Sequence, residues 1–213
     1  MIPKLHFISR GISATEHLEN IQKACSSGAE LVQLDLEHIS EKDHLKLAQE
    51  VLKITAHFQT RLVIKTYYKI AHKIKADGTY LDRNDTCPTL ARKGLYDWQT
   101  IGAAANTLED CHSLIAKDID YIGLGPFKIS EDQKNHPVAL GFNGYTAIIE
   151  ILTTETPLIG FGGITTADVL GILDTGVSGI MVTKAITADF NSIKTFNELL
   201  GASSTDEMRH TFI

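Results

Sequence analysis

The sequence lacks the cysteine pattern of a disulfide scaffold or a zinc site. Its three cysteines, Cys25, Cys87 and Cys111, lie far apart and form no CxxC pair. An odd number of widely spaced cysteines fits a reducing compartment, so we expect a cytoplasmic protein. The N-terminal residues show no signal-peptide pattern, and no apolar run approaches the ~20 residues of a membrane-spanning helix.

A basic surplus is also missing. The chain carries 20 Lys and Arg against 26 Asp and Glu, which gives a formal net charge of −6. This balance disfavours non-specific binding to nucleic acid, although a local basic pocket can still hold an anionic small molecule. We therefore expect a small-molecule partner, with no nucleic acid and no membrane. The sequence leaves the oligomeric state open, a homo-oligomer included.

Short apolar runs rich in β-forming residues alternate with helical patterns along the whole chain. The predicted strands are Leu5–Ser9, Leu31–Leu36, Arg61–Thr66, Thr79–Leu81, Thr100–Ala104, Tyr121–Leu124, Leu158–Phe161 and Gly179–Thr183. Amphipathic patterns such as Glu16–Cys25 and Leu45–Ile54 predict helices between them, with a short one at 87–93.

The alternation of strand and helix predicts a parallel sheet. Eight units in about 200 residues match the lower size limit of a closed (β/α)₈ barrel. An open doubly wound sheet is the alternative, but its glycine-rich loop usually follows the first strand, which here leads into "ISRGIS". We therefore predict an α/β fold in which residues 1–213 form a single TIM barrel, with a polar C-terminal tail at 201–213.

One connection is much longer than the others. Residues 125–145, between the sixth and seventh predicted strands, are polar and rich in turn residues. Loops that follow barrel strands lie on the face where barrel enzymes keep their active sites. We predict that this segment forms a loop or lid over the carboxyl-terminal mouth of the barrel.

Two adjacent glycines, Gly162 and Gly163, follow the seventh predicted strand, and Thr183 and Lys184 end the eighth. Barrels often hold a phosphate between these two loops on backbone N–H groups. The four residues therefore predict a phosphate-binding site, with Thr165 or Thr166 capping the following helix. The alternative is that the glycines only relieve crowding and Lys184 is a solvated surface lysine.

Four motifs resemble those of the family of thiamine phosphate synthase and the TenI-type thiazole tautomerase. They are "KADGTYLDRND", "IGAAANTLED", "DIDYIGLGPFKIS" and "PLIGFGGITTADVLGILDTGVSGIMVTKAI". Their order matches the family, and the resemblance covers nearly the whole chain. It implies a barrel enzyme of thiamine biosynthesis that joins a hydroxymethylpyrimidine diphosphate to a thiazole phosphate and releases pyrophosphate with Mg²⁺.

The diphosphate half of the family's site is changed in this sequence. The family's second strand ends in Gln-x-Arg-x-Lys, whose basic residues hold the diphosphate, but here the stretch reads "QLDLE". Gln33 is kept, whereas Asp35 and Glu37 stand in place of the two cations. Anions at these positions turn charge-assisted bonds into repulsion, so we expect a degraded diphosphate site.

The metal and loop positions also depart from the family. Thr66 stands where the family has a magnesium-binding aspartate, and Asp85 matches the second metal aspartate. The tautomerase's histidine is matched by Asn106. In the loop after the sixth strand, Ser130 matches a diphosphate-contacting threonine, and Lys134 lies one place from the family's lysine. Mg²⁺ is therefore implied by the resemblance, while Thr66 argues against its site.

Lys65 on the third predicted strand neighbours Asp35 on the second. The two form either an ion pair that replaces another charge network or part of a site rebuilt for a different substrate. A Schiff base through Lys65 is a further variant, which needs a lowered lysine pKa. The candidate catalytic residues are Gln33, Asp35, Glu37 and Lys65.

Three functions compete on this evidence. The first is thiamine phosphate synthase with a degraded diphosphate site. The second is a TenI-like or other barrel enzyme acting on a thiazole phosphate or similar monophosphate, in which Asp35 or Glu37 would be the base. The third is a non-catalytic binding or regulatory protein that kept the phosphate pocket.

Overall fold

The computed structural model describes residues 1–129 and 138–201. Within these ranges the chain forms a closed barrel of eight parallel strands that follow one another in chain order. The strands are β1 (Leu5–Ser9), β2 (Leu31–Leu34), β3 (Arg61–Lys65), β4 (Gly78–Leu81), β5 (Thr100–Ala105), β6 (Tyr121–Leu124), β7 (Leu158–Phe161) and β8 (Gly179–Val182). The predicted TIM barrel is confirmed.

The observed strands agree with the predicted ones to within two residues at each end. The largest difference is in β2, which ends at Leu34 instead of Leu36. β3 and β8 each end one residue earlier than predicted. Asp35, Thr66 and Thr183 are therefore the first residues beyond their strands, at the carboxyl-terminal mouth where side chains can meet a ligand.

The helices surround the strands, and a 3₁₀ turn at Thr166–Asp168 precedes α7. They are α1 (Ala14–Ser26), α2 (Glu41–His57), α3 (Tyr68–Ile74), α4 (Pro88–Lys93), α5 (Leu108–Ile115), α6 (Gly141–Ile151), α7 (Val169–Asp174), α8 (Lys184–Ala188) and α9 (Ser192–Leu199). The main apolar core lies between the strands and these helices, where Phe7, Ile21 and Phe196 are fully buried. In the described part of the chain, no helix has the length and apolar character needed to cross a membrane.

The long connection after β6 is shorter than predicted. α6 begins at Gly141, so residues 141–145 are helical and the expected loop at 125–145 ends at Leu140. The rings of Phe142 and Tyr145 pack on Phe127, with centroid separations of 4.9 and 5.6 Å, which gives this part of the helix an apolar face to bury. Residues 130–137, with the expected lid, lie outside the described residues.

Two tyrosines fill the inside of the barrel because glycines make room for them. A Cβ atom at Gly102 would overlap the ring of Tyr121, and one at Gly123 would overlap the hydroxyl of Tyr80. The two tyrosine rings stack with centroids 6.1 Å apart. Barrel interiors are packed rather than open, and here each tyrosine fills the space that a glycine on another strand leaves.

His6 on β1 is fully buried beside this tyrosine layer. Its Nε2 lies 3.0 Å from the carbonyl oxygen of Pro3, and its ring meets that of Tyr121 edge to face at 5.2 Å. Burial lowers the pKa of His6 to about 4; Arg61 adds to the lowering, and the bond to Pro3 opposes it. The imidazole is therefore neutral in the folded protein at neutral pH.

Replacing His6 with Leu should make the free energy of unfolding depend less on pH in the acidic range. The folded pKa of about 4 lies below the unfolded value of 6.5, so the unfolded chain binds more protons between these pH values and stability falls as pH falls through this range. At pH 4.5 this one group costs about 2 kcal/mol relative to pH 7. Between pH 7 and pH 4.5, the free energy of unfolding of His6→Leu should therefore fall by that amount less than that of the parent. Urea unfolding at the two pH values measures both.

The matched control is His57→Leu, which makes the same substitution at an exposed position of α2 and with which the pH dependence of His6→Leu is compared. Identical pH dependence in His6→Leu and the parent would show that His6 does not carry this proton linkage.

Candidate active site

A row of alternating charges lines one side of the barrel mouth. Arg10 follows β1, Asp35 follows β2, Lys65 ends β3 and Asp82 follows β4. Because neighbouring parallel strands end at the same edge, the four side chains meet there. We call Arg10, Asp35, Lys65 and Asp82 the mouth cluster.

Asp35 is the centre of the mouth cluster. Its Oδ2 accepts a hydrogen bond from Lys65 Nζ at 3.1 Å and another from Arg10 Nε at 3.3 Å. Its Oδ1 accepts from the backbone N–H of Glu37 at 3.2 Å. Lys65 Nζ also lies 3.0 Å from Asp82 Oδ2, so the ammonium stands between two carboxylates. The structure thus brings Asp35 and Lys65 together as an ion pair.

The charges of the mouth cluster stabilise one another. Burial alone would raise the pKa of Asp35, but the Lys65 ammonium and the Arg10 guanidinium outweigh it and lower that pKa. Burial alone would lower the pKa of Lys65, but Asp35 and Asp82 outweigh it and raise it. Two cations and two anions therefore cancel formally at neutral pH. The raised lysine pKa opposes the Schiff-base variant, because that chemistry needs a neutral amine.

The other two candidate catalytic residues lie apart from the mouth cluster's side chains. Gln33 is buried within β2, where its Oε1 has no hydrogen-bond partner among the described residues. Glu37 is exposed, and it contacts Asp35 through its backbone N–H, which donates a hydrogen bond to the Asp35 carboxylate. A buried amide oxygen without a partner is costly unless water or a ligand satisfies it. The unpaired Oε1 of Gln33 therefore indicates that a water or a polar ligand binds next to it.

The residues at the expected metal positions do not fit a Mg²⁺ site. Thr66 offers no carboxylate and has a φ of +67°, which is unusual for a β-branched residue. Asp85 Oδ2 accepts from the backbone N–H of Asp82 at 2.8 Å and closes a turn. The Lys65 ammonium already lies between Asp35 and Asp82. Within residues 1–129 and 138–201, no three His, Cys, Asp or Glu side chains are grouped as metal ligands.

The glycine pair after β7 meets the backbone of the loop that follows β6. Gly162 and Gly163 have φ values of +98° and +63°, where a side chain is strained. A Cβ at Gly162 would lie 2.5 Å from Pro126 Cβ, and one at Gly163 would lie 2.9 Å from Lys128 Cβ. Lys128 donates its N–H to the Gly162 carbonyl at 2.9 Å. Crowding by this loop is thus one reason for both glycines, and the phosphate site stays a prediction.

The remaining phosphate candidates lie near the glycine pair in the fold. Thr183 precedes α8 and Lys184 is its first residue. Thr165 caps the turn after β7, where its N–H and hydroxyl both donate to Asp168 at 3.0 and 2.8 Å. Gly163 is exposed, so its backbone faces solvent at the mouth. Ser130 and Lys134, the candidates in the substrate loop, lie outside the described residues.

Asn106 has a role that the sequence did not reveal. Its Nδ2 donates to the carbonyl of Gly125 at 2.8 Å and to that of Val138 at 3.3 Å. These carbonyls belong to the two described ends of the connection after β6, so one amide ties both ends to β5. Arg10 and Asp82 were also missed, although both are charged residues directly after predicted strands.

Comparison with known proteins agrees with the fold and the motifs. A family model described as thiamine monophosphate synthase matches residues 5–186. The thiamine-phosphate synthase of Flavobacterium johnsoniae is 33% identical over 190 residues, covering 88% of this chain and 90% of that protein. The thiamine-phosphate synthase of Flavobacterium psychrophilum is 33% identical over 202 residues, covering 93% and 98%.

A solved structure is also similar. The thiamine phosphate pyrophosphorylase from Pyrococcus furiosus superposes with a TM-score of 0.78, at 21% identity over 93% of this chain and 95% of that chain. At this identity the likeness concerns the barrel fold.

Removing one partner of the central ion pair should cost more than removing both. Lys65→Met leaves the buried Asp35 carboxylate with the half-exposed Arg10 as its remaining side-chain partner. We expect a loss of about 3 kcal/mol in the free energy of unfolding, because a buried charge is left poorly paired. The double variant Asp35→Asn/Lys65→Met should lose less than the sum of the single losses, measured by urea unfolding at pH 7.

Lys46→Met, on the exposed face of α2, is the matched control and should change the free energy of unfolding by less than about 0.5 kcal/mol. Strictly additive losses at positions 35 and 65 would contradict the pairing.

Proposed function

This chain belongs to the thiamine monophosphate synthase family, and from that premise we propose that its active site is a thiamine-phosphate synthase site with an altered diphosphate half. The activity class is a transferase of thiamine biosynthesis. The reaction implied by the family resemblance joins a hydroxymethylpyrimidine diphosphate to a thiazole phosphate and releases pyrophosphate. A cytoplasmic location and the oligomeric state remain predictions.

The charge of the mouth cluster is the observation that carries the proposal. A diphosphate is held best by several uncompensated cations with charge-assisted hydrogen bonds. Lys65 and Arg10 are the cations of the mouth cluster, and both are already paired with Asp35. A diphosphate would have to compete with a buried carboxylate for each of them. We infer that this half of the site binds its anion weakly.

Mg²⁺ is implied by the family resemblance, but the described residues do not fit it. A magnesium site needs oxygen ligands free to coordinate the ion. Thr66 lacks a carboxylate, and Asp35 and Asp82 already share the Lys65 ammonium. We therefore derive no catalytic step through the metal.

The other half of the site supports the binding of a monophosphate. Gly163 offers an exposed backbone without a Cβ, and Thr183 and Lys184 follow the neighbouring strand β8. In the proposal, these residues bind the phosphate of the thiazole and orient its ring towards the mouth cluster. In the same proposal, the unpaired Oε1 of the buried Gln33 on β2 supplies a polar contact to the ring system.

A product assay tests the activity. The purified protein is incubated with hydroxymethylpyrimidine diphosphate and thiazole phosphate, with and without Mg²⁺, and thiamine phosphate is quantified. We expect product, with a KM for the diphosphate above that of the Flavobacterium johnsoniae relative measured in parallel. Binding of thiazole phosphate without any product would instead favour a TenI-like enzyme or a non-catalytic binding protein.

Pyrophosphate with Mg²⁺ should bind weakly. The mouth cluster has no formal net charge, and Asp35 would repel the anion. In a calorimetric titration with up to about 1 mM pyrophosphate and 5 mM Mg²⁺, we expect no saturable heat. Thiazole phosphate, titrated under the same conditions, is the positive control. A Kd for pyrophosphate in the low micromolar range would show that the acidic residues at the mouth do not impair the diphosphate half.

Gly163→Val should abolish the binding of thiazole phosphate. The new Cβ would lie 2.9 Å from Lys128 Cβ, and a β-branched residue is strained at a φ of +63°, so the backbone that is proposed to hold the phosphate must shift while the barrel strands stay intact. Gly201→Val is the matched control, because Gly201 has nearly the same φ of +62° and open space around it. Both variants are compared by circular dichroism and by calorimetry with thiazole phosphate. Parental affinity in Gly163→Val would place the phosphate site elsewhere.

A further inference from the structure

A cavity lies at the amino-terminal end of the barrel, opposite the mouth. Its volume is about 680 Å³, within the range of small-molecule sites. Its floor is apolar and consists of Leu31, Val63 and Ile159, the inward-facing residues near the starts of their strands. The tyrosine layer packs on this floor and separates the cavity from the mouth cluster.

An aromatic wall borders this cavity. Trp98, the single tryptophan of the chain, lines it and is 56% exposed. The indole stacks on Tyr96 with centroids 5.7 Å apart and an interplanar angle of 7°. Tyr96 in turn stacks on His72 at 4.5 Å and 15°. A rigid, supported indole at a cavity is a platform on which a planar ring can stack.

Two cations line the same cavity without a carboxylate partner. Arg61 donates to the carbonyl of Met1 at 2.7 Å, and Lys4 donates to that of Leu200 at 2.9 Å. Over residues 1–129 and 138–201, no carboxylate oxygen lies within 4.0 Å of either charged group. Unlike the cations of the mouth cluster, neither is tied to a carboxylate, so a ligand anion could pair with them.

The two carboxylates on the cavity wall are engaged by other groups. Asp77 accepts the N–H of Leu62 at 2.8 Å. Asp120 accepts from Arg92 at 2.6 Å and from the N–H of Ile101 at 2.7 Å. These bonds all go to Oδ2, so one oxygen of each carboxylate is already used within the chain.

Unsatisfied polar groups adjoin the floor. The hydroxyl of Tyr121 and Nδ1 of His6 are both buried and have no hydrogen-bond partner among the described residues. Tyr121 packs in one cluster with all three floor residues, and Leu31 is the register partner of His6. Since His6 uses Nε2 towards Pro3, its neutral ring leaves Nδ1 as an acceptor, and the Tyr121 hydroxyl remains available as a donor.

We propose that this cavity binds a small planar aromatic anion, such as an aryl carboxylate or sulfonate, as a second ligand site distinct from the substrate site. The ring stacks on Trp98 above the apolar floor, and the anionic group pairs with Arg61 and Lys4. The site is independent of the proposed reaction, because the tyrosine layer lies between the two ends of the barrel.

The single tryptophan provides a direct test. Protein labelled with 5-fluorotryptophan has one ¹⁹F resonance, from Trp98, and is titrated with naphthalene-2-sulfonate as the probe. We expect a saturable shift of that resonance with a sub-millimolar Kd. The neutral isostere naphthalene-2-sulfonamide should bind at least tenfold more weakly. A resonance that does not move up to the solubility limit of the probe would overturn the proposal.

Variants separate this site from non-specific binding. Arg61→Gln should weaken the probe at least tenfold, whereas Lys46→Gln on α2 makes the same charge change far from the cavity and should leave the Kd unchanged. Trp98→Leu, followed by calorimetry, should also weaken binding. Thermal melts confirm that each variant is folded. Equal affinity in Arg61→Gln and Lys46→Gln, or equal affinity for the sulfonate and the sulfonamide, would refute an anion site.

Discussion

The buried carboxylate of Asp35 is the constraint on which the barrel mouth depends. A carboxylate that is 4% exposed must be paired, and here the partners come from β3 and from the loop after β1. Meeting this requirement fixes the position of Lys65, which in turn holds Asp82 beyond β4. Four consecutive strands are thus joined at their ends by charges, and the same charges limit which anions the mouth can hold.

The opposite side of the mouth is held by hydrogen bonds between neutral groups and by one ion pair. Asn106 ties together the two described ends of the connection after β6, and Lys128 forms a backbone bond to Gly162 while its ammonium lies 2.6 Å from Asp168. The loops after β5, β6 and β7 therefore form one connected unit. A ligand that contacts one of these loops contacts a surface shaped by all three.

The sequence predicted the strands well because each is a short apolar run between polar turns, and burial in a barrel demands that pattern. It also placed Asp35 beside Lys65, since neighbouring parallel strands bring their last residues together. It could not show the positive φ of Thr66 or the two hydrogen bonds that the Asn106 side chain donates, because both depend on the path of a loop backbone. The sequence did not predict that α6 begins at Gly141. The first turns of this helix are stabilised by packing on Phe127, which lies outside the helix in the preceding loop.

The barrel interior has a consequence for how such a sequence can change over time. Tyr121 occupies the space that a side chain at Gly102 would need, and Tyr80 occupies that of Gly123. Neither glycine can gain even a methyl group while its tyrosine stays, and loss of a tyrosine alone leaves a void in a packed layer. Each pair must therefore change together or not at all. In descendants of this chain, the two positions of a pair are expected to vary as one inherited character.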